Sequence, residues 1–305
     1  MSGDGRIEEV QEMAPAKINL SLDVTGKLDN GYHSIESIMQ TVDLCDELSV
    51  KKIEAGIKIC IRGKREVPDD ENNLAWQAAK LMKENFASIS SGVEIHLRKN
   101  IPVSAGLAGG SSDAAAVLRA LNRLFSLGLT RERLEQLGVE LGADVPFCIR
   151  GGTALARGRG EKLTFYPGSI EQKLILLNPE LKVSTARIFS QLKPALIEES
   201  SISADSLIEN SISTGNKITW QEGWENILER VTTRLYPGMK DLRDRIKNHD
   251  PAPVHVQMTG SGPTFMIFHE SEREMREFAE TWPGGEELIL TRFISGAKVC
   301  PSAGL

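Results

Sequence analysis

Cysteine is scarce in this 305-residue chain: Cys45, Cys60, Cys148 and Cys300 lie far apart and form no CxxC pair. That spacing argues against a disulfide framework and against a zinc site, and leaves buried thiols in a reducing compartment as the expectation. No stretch approaches the roughly 18 consecutive apolar residues that a membrane-spanning helix needs, so no membrane partner is expected. The opening MSGDGRIEEVQEM has neither an apolar signal core nor the acid-poor, Arg/Ser-rich character of a transit peptide, which points to a bacterial cytoplasmic location. A basic patch is also missing, and with a formal net charge of -6 no nucleic-acid partner is expected. GxxxxGK[ST] does not occur and no GxGxxG follows a strand pattern, so the P-loop and Rossmann phosphate sites are both excluded. His96, His249, His255 and His269 show no metal-ligand spacing and read as structural.

What is present is the balance of a globular protein, 40% hydrophobic and 26% charged, over a length that suggests two lobes with a cleft between them. Apolar residues alternate with polar ones over 14–24, the period of a half-buried strand, so Lys17 and Asn19 share one face. A turn at 29–31 leads into extended chain over 35–50, with further strands at 57–61 and 93–97 and a helix over 72–86. Helical patterns follow at 130–141, 187–192 and 224–235, with strands at 254–258 and 264–268, and the second half opens near Lys173 on the apolar run LILL. A helix from Ser271 and a strand from Glu287 close the pattern. Residues 198–217, rich in Ser, Asn and acids, read as a surface insertion or mobile loop. The mixture of strands and helices makes the class α+β.

The most unusual segment is IPVSAGLAGGSSDAAAVLRALNRLF at 101–125, a glycine-rich turn running straight into a helical pattern, with Ser111, Ser112 and Asp113 as capping candidates. Gly106, Gly109 and Gly110 let backbone approach a ligand, and N–H groups at a helix start attract phosphate. A tight glycine-rich connection without a ligand is the competing reading of this segment alone.

The loop resembles the signature of the GHMP kinase superfamily, Pro-x-x-x-Gly-Leu-x-Gly-Gly-Ser-Ser entering a helix. PAKINLSLDV at 15–24, DNGYHSIESIMQTVDL at 29–44, GADVPFC at 142–148 and MTGSGPTF at 258–265 sharpen the resemblance toward the branch acting on a cytidine diphosphate-linked methylerythritol. The resemblance implies a two-lobed α+β fold, with a ribosomal protein S5 domain 2-like lobe over 1–168 and a ferredoxin-like lobe over 169–305. It implies transfer of the ATP γ-phosphoryl group, with Mg2+, to the 2-hydroxyl of that small-molecule substrate, in the non-mevalonate isoprenoid route, by a monomer or homodimer.

Residue by residue, the resemblance assigns Asp144 as the catalytic carboxylate that receives or orients the hydroxyl proton, and Lys17 as the partner that keeps it ionised and offsets phosphoryl charge. Asn19 would position substrate; Tyr32 and His33 would recognise cytosine, with Phe189 as a second aromatic and Thr185 as a substrate contact or helix cap. Pro102, Val103, Ser104, Ala105, Gly106, Leu107, Ala108, Gly109, Gly110, Ser111 and Ser112 would form the ATP loop, Ser112 contacting the metal or phosphates. Two departures stand out: residues 193–222 look little like compact members, and the loop reads PVSAGLAGG where other members carry an additional glycine. A mevalonate or homoserine kinase is the nearest rival, which GYH at 31–33 opposes. A non-catalytic nucleotide-binding protein is another, opposed by the retention of Lys17 and Asp144.

Overall fold

In the computed structural model, residues 7–29, 31–63, 66–167, 170–192, 204–213, 218, 220 and 224–299 are described. Two long strands, β1 (Glu9–Lys27) and β2 (His33–Ile53), form an antiparallel hairpin whose turn places Gly31 at φ 84°, a conformation that favours a residue without Cβ. The register runs from Glu9 opposite Lys51 to Lys27 opposite His33 and shifts three times, between Pro15 and Lys17, Asn19 and Ser21, and Val24 and Gly26. Such shifts twist a strand and re-aim its side chains.

Along β1 the predicted strand is present, but it is not half-buried: residues 14–22 are all buried, with Lys17, Asn19 and Ser21 at 5%, 1% and 6% exposure. The face expected to meet water is covered by the second half of the chain. Leu22 N–H donates to the Glu225 carbonyl at 2.8 Å and Gln257 Nε2 to the Leu20 carbonyl at 3.2 Å.

The first sheet has six strands. β3 (Ile57–Gly63) lies at its edge, parallel to β4 (Gly92–Lys99), and β4 pairs antiparallel with β2; β5 (Thr153–Gly158) and β6 (Lys162–Tyr166) continue on the other side. Helices α1 (Leu74–Asn85), capped by Asn73, α2 (Gly109–Leu124), and α3 (Arg131–Leu141), capped by Thr130, lie in the same half. Their apolar stripes bury Ala78, Met82, Ala114, Val117, Leu121 and Leu134 in one cluster with Val93, Ile95 and Leu97 of β4. A short helix, α4 (Val145–Arg150), follows Asp144 and was not apparent in the sequence, since six residues are too few to show a period.

The second sheet has the order β10-β7-β9-β8, antiparallel throughout, from β7 (Lys173–Asn178), β8 (His255–Met258), β9 (Phe265–Phe268) and β10 (Glu287–Arg292). Among the described residues the remaining helices are α5 (Thr185–Ser190), α6 (Ala204–Ser213), α7 (Ile227–Leu235), α8 (Pro237–Lys247), α9 (Glu272–Thr281), which opens on a Ser271/Glu274 capping box, and α10 (Gly296–Val299).

Helix α6 corrects the reading of 198–217. Its Leu207 and Ile208 are buried in a cluster with Ile18, Leu20 and Ile38 of the first sheet and Leu174, Leu176 and Phe268 of the second. Average polarity concealed one apolar helical stripe, while residues 193–203, 214–217 and 221–223 lie outside the described residues. The same cluster joins the two sheets through a shared core. The expected lobe boundary at 168/169 also falls on residues outside those described.

Candidate active site

Between β4 and α2 the chain alternates into left-handed backbone at Ser104 (φ 54°), Gly106 (φ 78°) and Ala108 (φ 54°). Ala108 is the N-cap of α2 and makes no side-chain cap, so Ser111, Ser112 and Asp113 fall inside the helix rather than capping it. The N–H groups of the first turn, which no helical carbonyl can reach, therefore lie along the loop. They border a cavity of about 320 Å³ lined by Pro102, Val103, Ser104, Ala105, Gly106, Ala108, Gly109, Gly110 and Ser111, with Asn72, Asn73, Leu74 and Lys99 on its other walls. That combination of cavity, dipole and amide donors suits a polyphosphate.

Leu107 and Ser112 face away from this cavity. Both are buried; the Leu107 carbonyl accepts from Lys17 N–H at 3.2 Å, and the Ser112 hydroxyl donates to the Pro15 carbonyl at 2.7 Å. These bonds fasten loop and helix to β1. Ser112 is fully buried and does not line the cavity.

Ala108 holds a conformation that costs an L-residue roughly 1 kcal/mol, partly offset by the lower unfolded-state entropy of Ala relative to Gly. Ala108→Gly is expected to be neutral or to stabilise by less than about 1 kcal/mol. Urea denaturation checks this, and a clear loss of stability contradicts it.

Gly106 is where the loop meets the second half. A Cβ there would lie 2.5 Å from the Thr259 carbonyl oxygen, so the residue-type requirement is both steric and conformational. Asn226 Nδ2 donates to the carbonyls of Met258 and Gly260 at 2.7 and 2.8 Å, and its Oδ1 caps α7 through Leu228 N–H. Thr259 Oγ1 accepts from Asn19 N–H at 2.8 Å. The TGSG turn thus packs on both the glycine-rich loop and β1.

Beneath the loop, Lys99 donates to Asp46 and, at 2.6 Å, to Asp113, all three at most 3% exposed. Asp46 Oδ1 also accepts from Asn100 and Ile101 N–H at 2.5 and 2.9 Å. Burial pushes the Asp113 carboxyl well above the usual carboxylate range despite the opposing pull of Lys99, with Asp46 adding repulsion. Burial acts to lower Lys99, and the two carboxylates outweigh it and hold the ammonium above its ordinary value. Asp113 Oδ1 has no hydrogen-bond partner.

Lys17 and Asp144 lie together, Nζ to Oδ2 at 3.5 Å, with the Asp144 side chain 32% exposed and that of Lys17 at 7%. Lys17 Nζ also donates to Asn19 Oδ1 at 2.8 Å, Asn19 Nδ2 to Ser37 Oγ at 2.7 Å, and Ser37 Oγ to the Ser21 carbonyl at 2.6 Å. This relay fixes the ammonium from below and leaves the carboxylate accessible. Asp144 immediately precedes α4, where the helix dipole favours a negative charge. Arg119, 3% exposed, donates to Glu12 Oε2, to the Met13 carbonyl of β1 and to the Cys148 carbonyl of α4, and so holds the elements bearing Lys17 and Asp144 against each other. Nothing in the sequence distinguished it from a surface arginine.

His33 and Phe189 approach with ring centroids 5.4 Å apart at 34°, and Tyr32, 59% exposed, lies with the Arg159 guanidinium 5.3 Å from its ring centroid. Burial, with Lys27 nearby, lowers the His33 pKa from its ordinary 6.5. The turn carrying Arg159 also carries Gly160, at which a Cβ would lie 3.7 Å from Ile35 Cδ1 and 3.9 Å from Ala143 Cβ, which brings the aromatic group and the Asp144 segment to one turn. Thr185 is not a cap. Ser184 caps α5, and Thr185 Oγ1 pairs with Ser261 Oγ at 2.7 Å, joining α5 to the TGSG turn.

The family description of the GHMP kinases N terminal domain matches residues 73–152, and that of the GHMP kinases C terminal matches 212–284. The 4-diphosphocytidyl-2-C-methyl-D-erythritol kinase of Caldicellulosiruptor saccharolyticus is 46% identical over 279 residues, covering 91% of this chain and 94% of its own. That of Bacillus velezensis is 46% identical over 267 residues, 86% and 90% of the two chains. A crystal structure of 4-(cytidine 5'-diphospho)-2C-methyl-D-erythritol kinase superposes with a TM-score of 0.79 at 32% identity, over 93% of this chain and 99% of that one. Homoserine kinase from Cytophaga hutchinsonii, at 17% identity, a TM-score of 0.67 and coverage of 97% and 98%, shares the fold. Long matches at this identity, carried on both sheets, leave one conclusion: the chain belongs to the 4-diphosphocytidyl-2-C-methyl-D-erythritol kinase family of the GHMP kinases.

Proposed function

We propose that this chain transfers the γ-phosphoryl group of ATP to the 2-hydroxyl of 4-diphosphocytidyl-2-C-methyl-D-erythritol, giving the 2-phosphate and ADP, in the non-mevalonate route to isoprenoid precursors. The observation that carries the reading is the Lys17–Asp144 pair, anchored by Asn19 on a strand fastened to the glycine-rich loop. ATP phosphates would rest on the loop and the first turn of α2. Asp144, the accessible member of the pair, would accept the proton of the attacking hydroxyl, and Lys17 would stabilise charge on the transferring group. Phosphoryl transfer asks for little more than this positioning and neutralisation.

Mg2+ would neutralise phosphate charge. Ser112 lies outside the cavity lining, and phosphate oxygens and water are the natural holders of the ion. The enzyme would act in the cytoplasm as a monomer or homodimer, with the lobes divided near 168/169.

Tyr32, His33 and Phe189 would hold cytosine. Stacking on an aromatic face contributes about 1–3 kcal/mol per base, so Tyr32→Ala or Phe189→Ala is expected to raise KM for the substrate about 10- to 100-fold with a smaller change in kcat. Because the neutral imidazole of His33 is favoured, substrate affinity should hold at neutral pH and decline only as the pH falls through the lowered His33 pKa, which lies under the ordinary 6.5. A pH series of kcat/KM against His33→Gln checks this; identical profiles in both proteins rule it out.

Product chemistry tests the reaction itself. Phosphorus NMR should show one new phosphomonoester and one ADP per substrate with the diphosphate bridge intact. Release of inorganic phosphate, or cleavage of the bridge, overturns the assignment.

A further inference from the structure

The face of the first sheet opposite its helices carries a group of side chains that the kinase reaction does not use. In the parallel ladder, Cys60 of the edge strand β3 stands opposite His96 of β4, and Glu94 lies two residues before His96 on the same face. His96 Nε2 is 2.9 Å from Glu94 Oε1, and Cys60 Sγ is 3.8 Å from that same oxygen. One ligand atom from each of the three residues lies within 4.8 Å of the other two. Lys51 of β2 takes the other oxygen of Glu94, Oε2, at 3.3 Å, leaving Oε1 to face the thiol and imidazole.

We propose that Cys60, Glu94 and His96 form a binding site for a borderline divalent cation of the Zn2+ class. A thiolate, an imidazole nitrogen and one carboxylate oxygen are the donor types that zinc accepts, whereas Mg2+ and Ca2+ prefer all-oxygen sets. Three protein donors leave a fourth position. A cavity of about 530 Å³ beside Cys60 and His96, bordered by Arg62, Arg98 and Glu47, has room for water there. Lys51 would orient the carboxylate from outside the donor set, as second partners of metal ligands do. The cation would tie the edge strand β3 to β4 by side chains as well as by the ladder, and its binding would release the thiol proton.

Cys60 is exposed rather than a buried thiol as its sequence context suggested, and His96 has a partner set that spacing along the chain could not reveal. The cluster forms across two strands, so no short motif encodes it.

The experiment is titration of the tag-free full chain with Co2+ in the absence of nucleotide, followed by displacement with Zn2+. Wild type should take up one equivalent with a thiolate-to-cobalt charge-transfer band, and Zn2+ should abolish the band and raise the melting temperature. Cys60→Ser should lose the band, and His96→Ala and Glu94→Gln should each weaken uptake at least about tenfold. Cys45→Ser, Cys148→Ala and Cys300→Ser should keep the band. Kinase turnover of Cys60→Ser should equal wild type, which separates a lost metal site from a lost fold. Absence of the band in wild type, or its persistence in Cys60→Ser, overturns the proposal.

Discussion

Asp144→Asn is expected to lower kcat by about 10²- to 10⁴-fold, the range that a positioned general base supplies. Asparagine keeps the shape of the side chain but cannot receive the hydroxyl proton. The Asp144 side chain is 32% exposed and its recorded ionic contact is with Lys17 at 3.5 Å, so folding stability should change by no more than about 0.5 kcal/mol. ATP binding should persist, because the loop and the first turn of α2 are untouched. Lys17→Met should also depress kcat, and the double variant should lose less than the product of the two single effects, since the residues act as a unit. Single-turnover kinetics with a melting curve for each variant distinguish these outcomes. A near wild-type kcat in Asp144→Asn contradicts the role assigned to the carboxylate.

Lys99→Met should have the largest effect on stability. Its ammonium stands between Asp46 and Asp113 with all three groups buried, and removing one partner of a buried ion pair typically destabilises by about 3–5 kcal/mol. The deficit should depend on pH. Buried carboxyls without a cation hold their protons more tightly in the folded state than in the unfolded chain, so the folded state binds more protons and stability falls as pH rises above the unfolded value near 3.8. Wild-type Asp113, already raised, contributes with the same sign. The Lys99→Met deficit should thus be greatest at neutral pH and shrink toward pH 4. Adding Asp46→Asn and Asp113→Asn to Lys99→Met should recover much of it. Urea midpoints across pH measure all of this; a midpoint equal to wild type at pH 7 would show that the network carries little of the loop's support.

What could be read from residues alone was what repeats or lies close along the chain. The alternation through Lys17 and Asn19, the glycine-rich entry to α2 and the helical pattern from Ser271 are local, and strand, loop and helix appear where those patterns put them. Groups assembled across distance were not legible. Lys99 meets partners 53 and 14 residues away, Arg119 reaches Glu12 across 107, and Asn226 reaches the TGSG turn across about 30. The polarity of β1 predicted solvent where the second sheet brings Thr259 and Gln257, because hydrogen bonds satisfy the buried polar groups. Ser112 shows the limit of transferring a motif: the residue stands in the signature, yet its hydroxyl serves β1 and not the cavity. In α6, a buried stripe of Leu207 and Ile208 within a polar stretch was missed because composition averages over both faces of a helix.

The most direct test of the central claim is ATP turnover by the purified chain with Mg2+, offered 4-diphosphocytidyl-2-C-methyl-D-erythritol, mevalonate and homoserine in parallel. The account predicts ADP formation with the cytidine-linked alcohol alone, at a rate that Asp144→Asn removes. Turnover with mevalonate or homoserine at comparable kcat/KM, or none with the cytidine-linked alcohol, would contradict it.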